Sequence, residues 1–137
     1  MSYTINVRFE SESDALTVVE KTCWHYANGG LWTENEGHHH LTMGGSGTSG
    51  MLRFKTTSGE LFSIIVGVHN YAPWCDVQVN LVGHDTGVKL NPEYYGGGRL
   101  SAEAHKEIER TTSQGHHVKL HFHQIEGHNI SAVLHYN

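Results

Sequence analysis

The chain of 137 residues sets nine Lys and Arg against 14 Asp and Glu, a formal charge of -5 with its 13 histidines neutral, and 37% of it is hydrophobic. That size and apolar content suit one globular domain over residues 1–137, with a single core that needs no covalent staples. The basic residues are scattered singly, which excludes the phosphate-neutralising stripe of a nucleic-acid partner, and no apolar run is long enough to span a bilayer as a helix.

At the start, Met1-Ser2-Tyr3 has neither the basic opening nor the apolar core of a secretory leader, so a cytoplasmic protein is expected. Tyr3, Ile5, Val7 and Phe9 then alternate with Thr4, Asn6, Arg8 and Glu10, the period of a strand with one buried face. The β-branched stretch Thr17 to Thr22 predicts a second strand, closed by a turn at Asn28-Gly29-Gly30 that Trp24, Tyr26 and Trp32 flank. Cys23 and Cys75, a pair in an unsecreted chain, are expected as buried thiols rather than a disulfide. Leu52 and Phe54, the turn Thr57 to Glu60, and the apolar run Leu61 to Val68 predict a hairpin whose second strand is buried on both faces. Ser101 to Arg110 reads as a helix, with Ser101 as N-cap, alanines at 102 and 104, and charges of both signs. Val118, Leu120 and Phe122, then Ile130, Ala132, Leu134 and Tyr136 after Gly127, predict a closing hairpin. Many short strands divided by glycine turns, with one or two short helices, make the fold class all-β, a β-sandwich or barrel.

Two stretches invite a ligand. Leu41 to Gly50 contains four glycines among ten residues, a composition that weakens strands unless something approaches the backbone closely. The spacing of Gly45 and Gly50 matches a phosphate loop, but Met51 and Leu52 stand where Lys and Ser or Thr must follow, so nucleotide binding is rejected. Downstream, Gly67-Val68-His69-Asn70-Tyr71 and Pro73-Trp74-Cys75-Asp76 place polar groups at the exit of the buried strand. His and Asn side chains fork to vicinal hydroxyls while an aromatic face covers the C–H side of a sugar, although His69 alone is more often a loop histidine and Trp74 alone more often core.

Trp24-His25-Tyr26-Ala27-Asn28-Gly29-Gly30, Leu41 to Gly50, Gly67 to Tyr71 and Trp74-Cys75-Asp76 together resemble the fungal fruit-body lectins of mushrooms. The likeness runs in order through Asn91-Pro92-Glu93-Tyr94-Tyr95 and Arg99, and continues over the last forty residues as strand pattern. It implies a β-sandwich of the actinoporin-like type, a homotetramer, and two separate sugar sites per protomer. The first site of the family takes the T-antigen disaccharide, galactose β1,3-linked to N-acetylgalactosamine, through positions matching Ala27, Ser46, Gly47, His69 and Asn70, all intact. The second takes N-acetylglucosamine through positions matching Asp76, Val77, Val79 and Arg99, with a tyrosine expected near Arg110. Here Val79 replaces a threonine, and residues 100 to 112 contain no tyrosine, so the second site is expected weakened, lost or retuned. The partners implied are glycans and glycoproteins, the membrane is reached only through them, no cofactor is required, and the biological role implied is defence by crosslinking glycans.

The histidines at 38–40, 116–117, 121 and 123 offer imidazoles on alternate strand positions, yet no His-Glu-x-x-His or cysteine cluster accompanies them. A solvated strand face and a polar loop are the better reading, and no metal is expected. A membrane-acting protein of the same fold is the alternative, against which the strand period of residues 1 to 10 argues. A hydrolase would need paired carboxylates or an activated nucleophile, and Asp76 stands alone, so no enzyme is expected.

Overall fold

In the computed structural model, which describes residues 2–11, 15–24 and 29–137, two sheets face each other across one core. The chain forms β1 (Tyr3–Ser11), β2 (Leu16–Trp24), β3 (Gly30–Asn35), β4 (His38–Met43), β5 (Thr48–Thr56), β6 (Leu61–His69) and β7 (Ala72–Gln78). After a short helix, α1 (Gly87–Leu90), and a 3-10 turn at Asn91–Tyr94, it closes with β8 (Glu107–Thr111), β9 (His117–Glu126) and β10 (Asn129–Tyr136). One sheet has the order β3-β4-β1-β10-β9-β8 and the other β2-β5-β6-β7, so the fold is a β-sandwich.

The alternation at the start does what it predicts. Tyr3, Ile5 and Val7 enter the core while Thr4 and Asn6 stay partly exposed. β1 lies inside its sheet, antiparallel to β4 and parallel to β10, so both of its edges are paired and the N-terminal segment is committed to the sheet. The predicted hairpins form: β5 pairs with β6 across a turn where Gly59 takes φ +87°, and β9 pairs with β10 across Gly127. The turn predicted at Asn28 lies in part outside the described residues. Cys75 is buried, Cys23 is half-buried, and neither is in a disulfide. Burial pushes the Cys75 thiol up to about 12, with the Asp76 charge adding to it, so it stays protonated and inert.

β6 is buried on both faces for a reason the sequence left open. Phe62, Ile64, Val66 and Val68 face the sandwich core, where Phe54 and Phe62 stack at 4.9 Å and Phe62 and Tyr136 at 5.5 Å. Its other face, at Ile65, joins Met51, Trp74, Leu90, Tyr94 and Leu100 in a second cluster beneath the helical segment. Glu20 on β2 anchors that segment by accepting from the backbone N–H groups of Gly87 (2.7 Å) and Val88 (3.3 Å), a carboxylate at a helix N-terminus.

The helix predicted at Ser101 to Arg110 is not there. Residues 101 and 102 turn, His105 pairs with Cys75 through two backbone bonds (2.7 and 2.9 Å), and Glu107–Thr111 becomes the edge strand β8. The alanines favoured a helix, but Ile108 and Arg110 turn inward while Glu107, Glu109 and Thr111 face out, a period of two that pairing with β9 stabilises. The observed helical turn lies instead at 87–94, where Thr86 caps α1 and Pro92 opens the 3-10 turn.

Candidate functional site

A groove of about 680 Å³ runs along the outer side of the four-stranded sheet, from the glycine-rich β4–β5 turn to the segment before β8. Ser46, Gly47, His69 and Asn70 line one end, Trp74, Tyr94 and Tyr95 its middle, and Glu103, His105 and Lys106 the other. Four of the five residues expected at the first sugar site therefore share one wall. The fifth, Ala27, lies outside the described residues.

Backbone geometry builds that wall. Gly47 adopts φ +98° and its N–H donates to the Val68 carbonyl at 2.7 Å, folding the glycine turn over the end of β6. A side chain at 47 would strain this conformation, which is the physical use of the glycine. Asn70 and Tyr71 form the tight β6–β7 turn at φ 49° and 63°, and the Tyr71 N–H donates to Ser46 Oγ at 3.0 Å, tying the two turns together. Asn70 is exposed at the rim, and Tyr71, 81% exposed, presents a bare aromatic ring beside it. Ser46, Gly47, His69, Asn70 and Tyr71 carry no carboxylate or ammonium, so this end can bind through directional hydrogen bonds and ring contact without charge.

Trp74 resolves toward the core: it is 8% exposed and packs on Tyr94 at 5.5 Å. Its indole leaves no room beyond Gly67, where a Cβ would come within 2.9 Å of Trp74 Nε1 and 2.8 Å of Ser49 Cβ. Tyr95 donates to Ser49 Oγ at 2.6 Å, and Ser49 to Asn91 Oδ1 at 3.0 Å, which fixes the helical segment against the sheet and shapes the middle of the groove. Tyr71 and Tyr95 are groove residues that sequence reasoning did not single out. Tyr71 had a signal, a tyrosine directly after the histidine and asparagine in a turn, whereas Tyr95 reaches the groove only through the helical segment.

The five residues of the second expected site are divided. Asp76 is fully buried and its carboxylate is saturated. Tyr94 Oη (2.7 Å) and Gln78 Nε2 (2.9 Å) donate to Oδ2, and Arg110 Nη2 (3.0 Å) to Oδ1. Arg110 also donates from Nε to the Val77 carbonyl and from Nη2 to Glu103 Oε2 at 3.1 Å. Asp76, Val77 and Arg110 thus form one self-contained knot. Burial and the neighbouring Asp76 charge push the Tyr94 hydroxyl far above its ordinary range, so it remains a donor. The Val77 side chain is buried in the core and Val79 packs partly against it. Arg99 is exposed and its backbone N–H donates to Glu93 Oε2 at 3.1 Å, apart from the knot. Asp76, Glu103 and His105 bring ligand atoms within 4.8 Å of one another, but the guanidinium already bonds both carboxylates and repels a cation.

The histidines are less uniform than a solvated face. His39 is buried, stacks on Phe9 at 4.9 Å and lies 3.4 Å from Glu34. His116 bonds Glu60 through Nδ1 and stacks on Tyr136 at 5.0 Å. Both pack rather than solvate.

An open groove walled by aromatic rings, with uncharged donors and acceptors at one end of a β-sandwich, has the make-up of a binding site for a small polar ligand. The chain belongs to the fungal fruit body lectin family, whose model matches residues 1–134. It is 42% identical to the Boletus edulis lectin over 96% of each chain. The wild-type Xerocomus chrysenteron lectin crystal structure covers all of both chains at 41% identity with a TM-score of 0.96. A triply substituted form of that lectin matches at 43% identity and the same TM-score over 100% and 99% of the two chains. The lipid binding protein Nakanori is similar in fold alone, with a TM-score of 0.63 at 15% identity over 98% of this chain and 71% of that one.

Proposed function

We propose that this lectin recognises the T-antigen disaccharide, Gal-β1,3-GalNAc, and related GalNAc-containing glycans at the Ser46, Gly47, His69 and Asn70 end of the groove, with Ala27 as the fifth contact. The observation that supports this most is the convergence of the two turns: the Tyr71 N–H bond to Ser46 Oγ places four sugar-type residues, from two separate stretches of sequence, on one uncharged wall. Ser46 and Asn70 supply directional bonds that discriminate an axial hydroxyl, and Tyr71 supplies the ring for the apolar sugar face.

The second site, at Asp76, Val77, Val79, Arg99 and Arg110, is impaired for N-acetylglucosamine on the same reading. A sugar hydroxyl reaching Asp76 must displace a guanidinium or a tyrosine hydroxyl, and each hydrogen bond to a charged group is worth about 1.5–3 kcal/mol. Val79 offers no hydroxyl in return. The protein acts by binding rather than turnover, as a cytoplasmic homotetramer whose repeated shallow sites crosslink glycans and glycoproteins in defence. Linking such sites raises apparent affinity by roughly 10² to 10⁴ without a new contact.

A glycan array carrying the T-antigen disaccharide, terminal N-acetylglucosamine and unrelated sugars tests the reading. Signal for the disaccharide without N-acetylglucosamine is expected, and absence of every galactose-containing glycan overturns it.

A further inference from the structure

The outer face of the six-stranded sheet carries a histidine pair that the groove does not use. His121 on β9 and His135 on β10 are diagonal neighbours across their ladder, with Val133 opposite His121 and Lys119 opposite His135. Their rings lie parallel within 2° at a centroid distance of 5.4 Å, and the two Nε2 atoms approach to 3.3 Å. Glu10 stands opposite His135 in the β1–β10 register, its Oε2 3.0 Å from His135 Nδ1. A carboxylate on Nδ1 holds that nitrogen's proton and leaves Nε2 with a lone pair directed at its neighbour, the orientation that ligating histidines use.

Two imidazole nitrogens at this separation hold either a shared proton or a cation. Tetrahedral zinc with Zn–N bonds of about 2.0–2.1 Å spaces adjacent nitrogen ligands about 3.3–3.4 Å apart, so the pair is already set at the required bite. We propose that His121 and His135 form a binding site for a divalent metal ion of the zinc class, ligated by both Nε2 atoms, with water completing the shell and Glu10 orienting His135. Glu107, opposite His121 in the β8–β9 register, is paired with Lys119 at 2.9 Å, and Glu10 Oε1 with Arg8 at 3.2 Å, so the site rests on the two imidazoles and Glu10 Oε2 rather than on excess negative charge. The His135 side chain is 34% exposed and the Glu10 side chain 48%, so an ion enters from solvent without opening the fold. The site is independent of the sugar groove, and the sequence hides it because fourteen positions separate the two histidines.

Titration calorimetry of the intact protein with ZnCl2 at neutral pH tests the proposal. The expected result is zinc uptake that His121→Asn and His135→Asn each weaken by at least about tenfold, that Glu10→Gln weakens by about tenfold, and that His38→Asn, on β4, leaves unchanged. No uptake up to millimolar zinc overturns the proposal, as does uptake that survives both imidazole substitutions or disappears with His38→Asn. Should either histidine variant fail to fold, zinc-edge anomalous diffraction from crystals soaked in ZnCl2 decides. A peak between the two Nε2 atoms supports the site, and no peak there overturns it.

Discussion

The groove rim at Ser46–Asn70 and the knot at Asp76–Arg110 are both built on the β6–β7 hairpin, only a few residues apart, yet they treat their polar groups in opposite ways. At the rim, backbone bonds do the structural work: Gly47 N–H to Val68 and Tyr71 N–H to Ser46 hold the turns while Asn70 and the Tyr71 ring face solvent. In the knot, the side chains hold one another: Asp76 is engaged on both oxygens and fully buried, and Arg110 closes over it. Recognition needs donors and acceptors whose only competitor is water, and residue type alone does not reveal whether that condition is met.

The largest expected effect breaks the knot. Asp76→Ala leaves the Tyr94 hydroxyl, Gln78 and part of Arg110 without their acceptor and should lower unfolding free energy by about 3 kcal/mol, read from urea denaturation. Disaccharide affinity per folded molecule should stay unchanged, since the rim does not use this carboxylate. Opening the knot from the other side should act on binding instead: the double variant Val79→Thr, Arg110→Tyr supplies the hydroxyl partners expected of the family but leaves the buried Asp76 without its guanidinium. Stability should therefore fall, while N-acetylglucosamine binding per folded molecule, read by calorimetry, should strengthen about tenfold, the worth of one hydrogen bond of about 1.4 kcal/mol. At the rim, Ser46→Ala removes the acceptor of the Tyr71 N–H and should weaken disaccharide binding about fivefold, equivalent to about 1 kcal/mol.

A third polar cluster, away from both regions, sets the smallest effect. Burial raises the Glu60 carboxyl, but hydrogen bonds with Thr112, Tyr136 and His116 outweigh it and hold its pKa below the ordinary 4.5. A depressed carboxylate stabilises the fold above its unfolded pKa and loses that contribution as pH falls through the folded value. Wild-type melting temperature should therefore fall more steeply than that of Glu60→Gln below pH 4.5. The two slopes should be parallel above it.

How far the sequence carries depends on whether a feature is local. Period-two burial at Tyr3, Ile5 and Val7 and along Val118, Leu120, Ile130 and Leu134 is a local property, and those strands form as read. Gly47 and Asn70 were legible through the family resemblance and their residue types, glycine for close approach to the backbone and asparagine for hydroxyls; that both take left-handed backbone is seen only in the fold. Residues 101–110 misled because Ala102, Ala104 and Glu103 favour a helix by composition, while the pairing of Ile108 with Leu120 and of His105 with Cys75 is decided by distant strands. The closure of Asp76 by Arg110, 34 positions on, is equally nonlocal. So is the meeting of His121 with His135.

The contrast between rim and knot is tested most directly by calorimetry of the wild-type protein and Asn70→Ala against the T-antigen disaccharide and N-acetylglucosamine. One disaccharide should bind per chain, with binding lost or at least about tenfold weaker in Asn70→Ala, and N-acetylglucosamine should bind weakly or not at all in either. Disaccharide binding untouched by Asn70→Ala, or strong N-acetylglucosamine binding by the wild type, would contradict it.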